Sequence, residues 1–261
     1  AYRGADEFVS LAGTGEFYLL TTYAEGRPYA GDLRRLARTG MATAVDIERM
    51  HALVDYLAKL HAPKPRASRA VYARSIRDTL GGGEGVFGIS DSYPDAVPGA
   101  PLARLERIEE LCLSWRFRLR GRAERLARIH GDFHPFNVLF DDNGGLAVLD
   151  TSRGSMGDPA DDVSAMAINF AFFALGRPGA WRDVLQSFWY GFWSHYAARS
   201  GDEGVYDVAP PFLAWRALVL ANPKWYPDLA AGDRQRILAF AENVLGSGRL
   251  VPAVADEYFD A

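Results

Sequence analysis

The order of apolar and polar residues predicts a mostly helical chain. Over roughly 43–61 the apolar side chains Ile47, Met50, Val54 and Leu57 recur at steps of three and four residues, with Leu60 continuing the pattern. This spacing predicts one buried face of a long amphipathic helix. Thr43 and Asp46 form a plausible cap at its start, and Pro63 ends it. Further helices are predicted over 68–80, 101–127, 160–175, 179–199, 208–221 and 231–246.

Strands are predicted at only three places. Residues 16–22, "EFYLLTT", have strand composition, and two short apolar runs at 137–140 and 146–149 are separated by "DDNGG". Asparagine and glycine tolerate positive φ, so this linker predicts a hairpin that makes the two runs antiparallel. The glycine-rich stretch 81–88, "GGGEGVFG", fits G-x-G-x-x-G but follows a predicted helix rather than a strand, and it is therefore interpreted as a loop between helices.

Composition limits the classes of function. The 261 residues carry 29 basic and 33 acidic side chains, so there is no basic excess of the kind that nucleic-acid binding requires. A single cysteine, Cys112, excludes an internal disulfide and favours a cytoplasmic location. No apolar run is long enough for a membrane span, and no secretory signal precedes the first helix. The first residue is not methionine, so we expect the chain to belong to a longer protein.

The densest polar cluster is "HGDFHPFNVLFDDNGGLAVLD". The predicted hairpin returns Asp150 to the level of Asn137, and Asp132 lies on the loop beside them. One amide oxygen and one carboxylate suit Mg²⁺, which prefers few protein ligands together with phosphate oxygens. A second carboxylate held off the metal can orient or deprotonate a hydroxyl, as phosphoryl transfer requires. The alternative is that these are turn residues. His130 is interpreted as a hydrogen-bonded structural residue, whereas His134 is either structural or close to substrate.

Three segments carry a resemblance to a known family. "HGDFHPFN", then "VLD", then "GDPADDV" resemble the signature of the aminoglycoside phosphotransferase and choline kinase-like family, which is related to the eukaryotic protein kinases. The resemblance covers about residues 16–175 and includes "LAKLHA" at 57–62, which is similar to the helix that precedes the family's catalytic loop. The matching positions are His130, Gly131, Asp132, Asn137, Asp150, Gly157, Asp158, Pro159 and Asp162.

The resemblance implies a role for each matching side chain. Asp132 would be the catalytic base, and Asn137 and Asp150 would hold Mg²⁺ beside ATP. Asp158 and Asp162 would brace the catalytic loop and cap the helix that follows, with His130 also supporting the loop.

The same resemblance implies an α+β, protein-kinase-like fold whose N-terminal β lobe is largely missing from this chain. Residues 1–24 would be the remnant of that lobe and 25–31 the hinge, with Thr22 and Tyr23 beside the adenine ring. Residues 32–261 would form the helical C-terminal lobe, with its catalytic loop within 128–162. No lysine precedes Lys59, so the family's phosphate-binding lysine has no counterpart in the N-terminal segment.

The acceptor is the least determined part of the prediction. Arg153 either binds a phosphate or an acidic group of the substrate, or it binds loop carbonyls. The aromatic side chains of the C-terminal helices either cage an amine or, as is commoner at helical spacing, form core; they are Trp181, Trp189, Trp193, Trp215, Trp225 and Tyr226. Acidic residues at 200–207 and 255–257 could attract a cationic acceptor.

These features together predict an ATP- and Mg²⁺-dependent phosphotransferase. Its acceptor would be a hydroxyl of a small molecule, either aminoglycoside-like or another sugar or amino alcohol. The alternative is a pseudokinase-like module that binds without catalysis, which the missing lysine favours and the complete Asp132, Asn137 and Asp150 set opposes. Neither reading involves nucleic acid or a membrane.

Overall fold

The computed structural model describes residues 13, 20–63, 65–151, 153–177 and 179–260. This part of the chain contains ten α-helices, three shorter helical segments (Ala123–Arg125, Trp181–Leu185 and Pro252–Val254) and five short strands. The helices are α1 (Tyr29–Thr39), α2 (Ala44–His61), α3 (Arg69–Gly81), α4 (Val86–Asp91), α5 (Leu102–Leu119), α6 (Ala160–Ala174), α7 (Gln186–Ser200), α8 (Val205–Ala221), α9 (Ala231–Gly246) and α10 (Ala255–Tyr258). The strands are β1 (Arg27–Pro28), β2 (Ala127–Ile129), β3 (Val138–Phe140), β4 (Leu146–Val148) and β5 (Ser155–Gly157). A mostly helical α+β fold with a small hairpin is thereby confirmed.

Helix α2 shows how sequence spacing becomes packing. Asp46 accepts hydrogen bonds from the backbone N–H and the hydroxyl of Thr43 at 2.8 and 2.7 Å, which fixes the first turn. The buried stripe continues through Met50, Val54 and Leu57, and the helix packs on α7. The prediction for Ile47 was wrong, because 46% of it is exposed. The inward position of the first turn belongs instead to Asp46, which is buried and bound by Arg35 from α1.

Two small antiparallel sheets hold the loop that carries the polar cluster. β1, β3 and β4 form one sheet, and the predicted hairpin pairs Val138 with Val148 and Phe140 with Leu146. β2 and β5 form the other, with Ala127 opposite Gly157. The helix predicted over 101–127 ends at Leu119, so its last part was wrong. Residues 120–126 have a helix-forming composition but form a turn and a short 3-10 helix (Ala123–Arg125), and β2 then pairs with β5.

Helix α1 begins inside the segment assigned to the hinge. Its buried side chains include Tyr29, Leu33 and Leu36, and it ends at Gly40 with φ 65°, a conformation that glycine adopts without steric cost. Periodicity over 29–39 indicated this helix, but it was not predicted. Of the strand predicted at 16–22, residues 16–19 lie outside the described residues, and 20–22 form no regular structure.

The core lies between the C-terminal helices. Helices α6 and α8 are buried on nearly all sides, and the large side chains Trp189, Trp193 and Phe212 fill the space between neighbouring helices. Within the stretch 81–88 only residues 82–85 form the loop that joins α3 to α4; the loop prediction was wrong at its ends, where Gly81 ends α3 and residues 86–88 begin α4. None of the described helices is both long enough and apolar enough to cross a bilayer.

Candidate active site

The loop between β2 and β3 is the structural centre of the site. It occupies residues 130–137, and because its ends belong to different sheets, both of its anchors are fixed. Gly131 has φ 84°, and an added Cβ would lie 2.7 Å from the carbonyl oxygen of Arg153. Glycine is therefore required at this position by conformation and by space.

Asp162, on the first turn of α6, holds the start of this loop. Its two carboxylate oxygens accept the backbone N–H groups of His130 and Gly131, each at 2.7 Å. The side chain is fully buried, and its second neighbour is Nε2 of His61 at 3.0 Å. The other ring nitrogen of His61 lies 2.8 Å from the hydroxyl of Tyr196, so Nε2–H donates to the carboxylate while Nδ1 accepts from the tyrosine.

Asp158 is bound in a second buried network. Arg125 donates to both of its oxygens, at 2.8 and 3.0 Å, and Tyr72 donates its hydroxyl at 2.7 Å. Asp158 also accepts from the backbone N–H of Ala160 at 2.9 Å and so caps α6. Burial, followed by the negative charge of Asp158, raises the pKa of Tyr72, so the hydroxyl remains a donor. The sequence indicated Asp158 but gave no sign of Arg125 or Tyr72.

His130 connects the loop to the end of β4. Its ring is buried, with Nε2 3.0 Å from the carbonyl oxygen of Leu149 and Nδ1 accepting the N–H of Asp132 at 3.2 Å. Nε2 therefore carries the proton and donates to Leu149. This geometry is the one expected of a structural histidine, and it ties Asp132 to the residue that directly precedes Asp150.

Asp132 is the half-buried carboxylate of the loop and is surrounded by cationic groups. Nη1 of Arg216 lies 2.7 Å from Oδ1, Nη1 of Arg153 lies 3.8 Å from the same oxygen, and Nε2 of His134 lies 3.6 Å from Oδ2. Burial on its own would raise the pKa of Asp132, but His134 and the charges of Arg216 and Arg153 outweigh it and hold the pKa well below its usual range. Asp132 is therefore ionised at neutral pH.

Arg216 is a site residue that the sequence did not indicate. It projects from the buried helix α8 and bridges Asp132, the carbonyl oxygen of Gly131 at 2.9 Å and Asp161 at 2.9 Å. Its guanidinium lies 3.9 Å from the ring centroid of Trp215. A cation that is 84 positions distant in the chain from Asp132 leaves no local pattern, so only the tertiary structure reveals it.

Asn137 and Asp150 flank the open end of the hairpin. The N–H of Leu149 donates to the carbonyl oxygen of Asn137 at 2.8 Å, so Asp150 follows the residue directly opposite Asn137. Asn137 donates its side-chain N–H to the carbonyl oxygen of Asp132 at 3.1 Å, so its amide oxygen is the atom that could bind a metal ion. Asp150 has φ 55°, a left-handed conformation that aspartate tolerates better than most residues and that often occurs at functional sites.

This donor set fits Mg²⁺ better than a transition metal. Among the described residues no group of three or more His, Cys, Asp and Glu side chains is placed to hold a metal ion. An ion at the hairpin would therefore take one amide and one carboxylate oxygen from the protein, and the rest from water and phosphate. Mg²⁺ is usually bound in this way when it accompanies a nucleotide.

A cavity of about 540 Å³ opens beside Asp132. The catalytic loop contributes Asp132, His134 and Phe136, and the far wall is formed by α6, α8, Trp225 and Tyr226. Arg153 also lines it and pairs with Glu84, with Nε 3.0 Å from the carboxylate. Its volume lies within the range typical of sites for small molecules, roughly 300–1,000 Å³.

The aromatic residues of the C-terminal helices divide between core and cavity, whereas the acidic residues near them lie outside the cavity. Trp189, Trp193 and Trp215 are buried and Trp181 is half-buried, whereas Trp225 is 42% exposed and lines the cavity with Tyr226. The acidic side chains of 200–207 and 255–257 do not line this cavity. Thr22 and Tyr23 are exposed and make none of the contacts described for the site.

Known proteins support the resemblance that the motif suggested. Residues 90–200 match the model of the phosphotransferase enzyme family, described as APH. A glucosamine kinase structure (crystal form A) superposes with a TM-score of 0.50 at 19% identity, covering 88% of this chain and 54% of that one. The chain thus spans about half the length of that kinase. No curated protein matches the chain significantly.

Two further solved structures are similar at lower scores. A glucosamine kinase in complex with glucosamine, ADP and inorganic phosphate has a TM-score of 0.46 at 17% identity, covering 89% of this chain and 62% of that one. The aminoglycoside phosphotransferase APH(3'')-Id from Streptomyces rimosus has a TM-score of 0.42 at 19% identity, with 72% and 67% covered. Residues 90–200 include the whole motif from His130 to Asp162, and the family match together with the glucosamine kinase fold confirms the resemblance to the aminoglycoside phosphotransferase and choline kinase-like family, with its protein-kinase-like fold.

Proposed function

We propose that the chain is the catalytic part of an ATP- and Mg²⁺-dependent phosphotransferase that moves the γ-phosphate to a hydroxyl of a small molecule. The observation that carries this proposal is the placement of an ionised Asp132 at a cavity, beside the hairpin end that bears Asn137 and Asp150. The match of residues 90–200 to a phosphotransferase family supports it.

Each residue of the site has a defined task in this reaction. Asp132 accepts a hydrogen bond from the acceptor hydroxyl and aims its oxygen at the γ-phosphorus. As the new O–P bond forms, the bond to the β-phosphate breaks, ADP leaves and the hydroxyl proton passes to Asp132. A carboxylate with so low a pKa is a weak base, so its main contribution is orientation, as in loose phosphoryl-transfer transition states.

The charges of the triphosphate would be neutralised at the hairpin. Asn137 and Asp150 would hold Mg²⁺, which supplies positive charge to the β- and γ-phosphate oxygens. Arg153 lies at the edge of the same space, and exchange of its exposed partner Glu84 for a phosphate would bring a second cation to the transferred group.

We also propose the domain layout that the sequence predicts. In it, residues 1–24 are the remnant of the nucleotide lobe, 25–31 the hinge and 32–261 the helical lobe, with Thr22 and Tyr23 next to the adenine ring. A non-catalytic binding module remains the second candidate, since no lysine precedes Lys59. Turnover distinguishes the two candidates.

Nucleotide binding should depend on both the metal and Asp150. We expect excess Mg-ATP to stabilise the protein by about 2.7 kcal/mol at 100 times Kd, because a ligand that binds only the folded state shifts the unfolding equilibrium. The melting temperature of the wild type should rise with Mg-ATP, and it should rise less with ATP plus EDTA. Asp150→Asn should remove the magnesium-dependent part, whereas Asp142→Asn, an exposed change in the hairpin turn, should not. An equal rise in melting temperature with Mg-ATP in the wild type and in Asp150→Asn would contradict the assignment of Asp150 to the metal.

The acid limb of the pH profile should report Asp132. Its lowered pKa means that the ionised form persists as the pH falls, and activity is lost only as the pH passes through that low value. His134→Gln removes the ring whose Nε2 lies 3.6 Å from Oδ2 and which helps to lower the pKa of Asp132, so the loss should begin at a higher pH. Profiles of kcat/KM carried into the acid range below pH 4, with circular dichroism to show that the protein stays folded, measure this, with the exposed His51→Gln on α2 as control. An unchanged acid limb in His134→Gln would contradict it.

A further inference from the structure

The charges around the cavity are arranged unlike those of a site for a polycation. Two acidic side chains line it, Asp132 and Glu84, and both already have cationic partners, Arg216 and Arg153. An acceptor that carries several ammonium groups would find no further carboxylate among the described lining residues. The acidic residues of 200–207 and 255–257 lie outside this cavity, and Asp202 pairs with Arg125 instead.

Among the described residues that line the cavity, Arg34 is the arginine that has no acidic partner. Its guanidinium lies over the ring of Phe136, 5.3 Å from the centroid, and 5.7 Å from that of Phe173. No carboxylate of the described chain lies within ion-pair distance of it, and the side chain is exposed at the cavity edge. The charge of Arg34 acts on Tyr226, whose pKa is raised by burial and lowered in part by that charge, so both residues face the same space.

Apolar and aromatic side chains form most of the remaining lining, in which His134 and Asn169 are the polar members, and the side-chain N–H of Asn169 donates to the carbonyl oxygen of Ala165 at 2.7 Å. Ile168, Val219 and Leu220 form one wall, and Trp225 and Tyr226 form the edge opposite the catalytic loop. Tyr226 is packed edge-on against Phe172 at 4.7 Å, so its ring is held in position. A surface of this kind gains free energy by covering an apolar or aromatic body, and it offers little to a heavily hydroxylated one.

We infer that the acceptor is a hydroxyl-bearing carboxylate with an aromatic or apolar body, whose carboxylate binds Arg34 while its hydroxyl lies at Asp132. This inference rests on the proposed function, because it assigns the acceptor of the same site. Arg34 is placed to pair with a planar anion in the two-point geometry that guanidinium and carboxylate share. Phe136 and Phe173 beneath it limit the positions that the guanidinium can take.

The test compares acceptors that differ only in charge. 4-(Hydroxymethyl)benzoate, its methyl ester and 4-(aminomethyl)benzyl alcohol share a ring and a primary hydroxyl, and kanamycin represents polycations. Binding of each to the full chain is first titrated calorimetrically without nucleotide. We expect the carboxylate to bind at least about tenfold more tightly than the ester, and the amine to bind most weakly of the three. No binding of the carboxylate, or preference for the amine or kanamycin, would overturn the inference.

Two variants distinguish binding of the acceptor carboxylate at Arg34 from binding of the nucleotide there. Arg34→Gln should abolish the preference for the carboxylate over the ester, whereas Arg38→Gln, on the same helix but outside the cavity, should preserve it. In turnover assays Arg34→Gln should raise KM for the acceptor and leave KM for ATP unchanged. A rise confined to KM for ATP would instead assign Arg34 to the nucleotide and overturn the inference. Binding without turnover would refute the proposed reaction while leaving the acceptor class supported.

Discussion

Replacement of Asp132 by asparagine is expected to reduce kcat by about 10²–10⁴-fold, the contribution usual for a positioned acid–base group. The amide retains the shape of the side chain and can still accept a hydrogen bond from Arg216 at Oδ1. It loses the negative charge that orients the acceptor hydroxyl and receives its proton. Steady-state rates of ADP release with a hydroxyl acceptor measure the effect.

Two controls make this result specific to the chemistry. The Mg-ATP-dependent rise in melting temperature should survive in Asp132→Asn, because nucleotide and metal are assigned to other residues. Asp142→Asn, in the exposed turn of the same hairpin, should turn over at the wild-type rate. A rate in Asp132→Asn within a factor of two of the wild type would remove Asp132 from the reaction.

Asp162→Asn is expected to have the largest effect on stability. The carboxylate accepts two backbone N–H groups of the loop on separate oxygens, and an amide provides only one oxygen, so a buried donor would face the new NH₂ group. Losing a hydrogen bond to a buried charge and leaving its donor unsatisfied costs about 3 kcal/mol. This corresponds to a decrease in Tm of roughly 6–12 °C for a chain of this size.

The matched control for this change is Asp78→Asn, an exposed residue paired with Arg74 on α3, which should alter the free energy of unfolding by less than about 0.5 kcal/mol. Asp162→Asn should also lower kcat, because the displaced loop carries Asp132. Urea denaturation measures the first effect and ADP release the second. If the variant were as stable as wild type, Asp162 would not be the brace of the loop.

The sequence predicted the elements whose signals are local. Caps, hairpin turns and helical periodicity involve residues within a few positions of each other, and this is why α2, the β3–β4 hairpin and α6 were found. The helix predicted over 101–127 was too long because residues 120–126 are rich in arginine, alanine and leucine, which favour helix, whereas in the fold they form a turn and a short 3-10 helix (Ala123–Arg125) before β2. Helix α1 had an adequate periodic signal, which the assignment of a hinge to the same residues obscured.

The residues of the site also divide into those that a local sequence pattern reveals and those that only the fold reveals. The motif placed Asp132, Asn137 and Asp150 near one another because a tight hairpin leaves little freedom in their arrangement. The residues that set their charge and rigidity come from other elements: His61 from α2, Arg125 from the short turn before β2 and Arg216 from α8. Such contacts are satisfied only when several helices pack together, so no spacing in the sequence reveals them.

The most direct test of the central claim is to follow the γ-phosphate itself. ³¹P NMR of the protein with Mg-ATP and the hydroxymethylbenzoate or sugar acceptors should show a phosphomonoester that grows at the same rate as ADP. The signal should be absent from Asp132→Asn and from samples that contain EDTA. Release of ADP with inorganic phosphate alone, or a phosphomonoester formed equally well by Asp132→Asn, would contradict the assignment of this cluster as a phosphotransferase site.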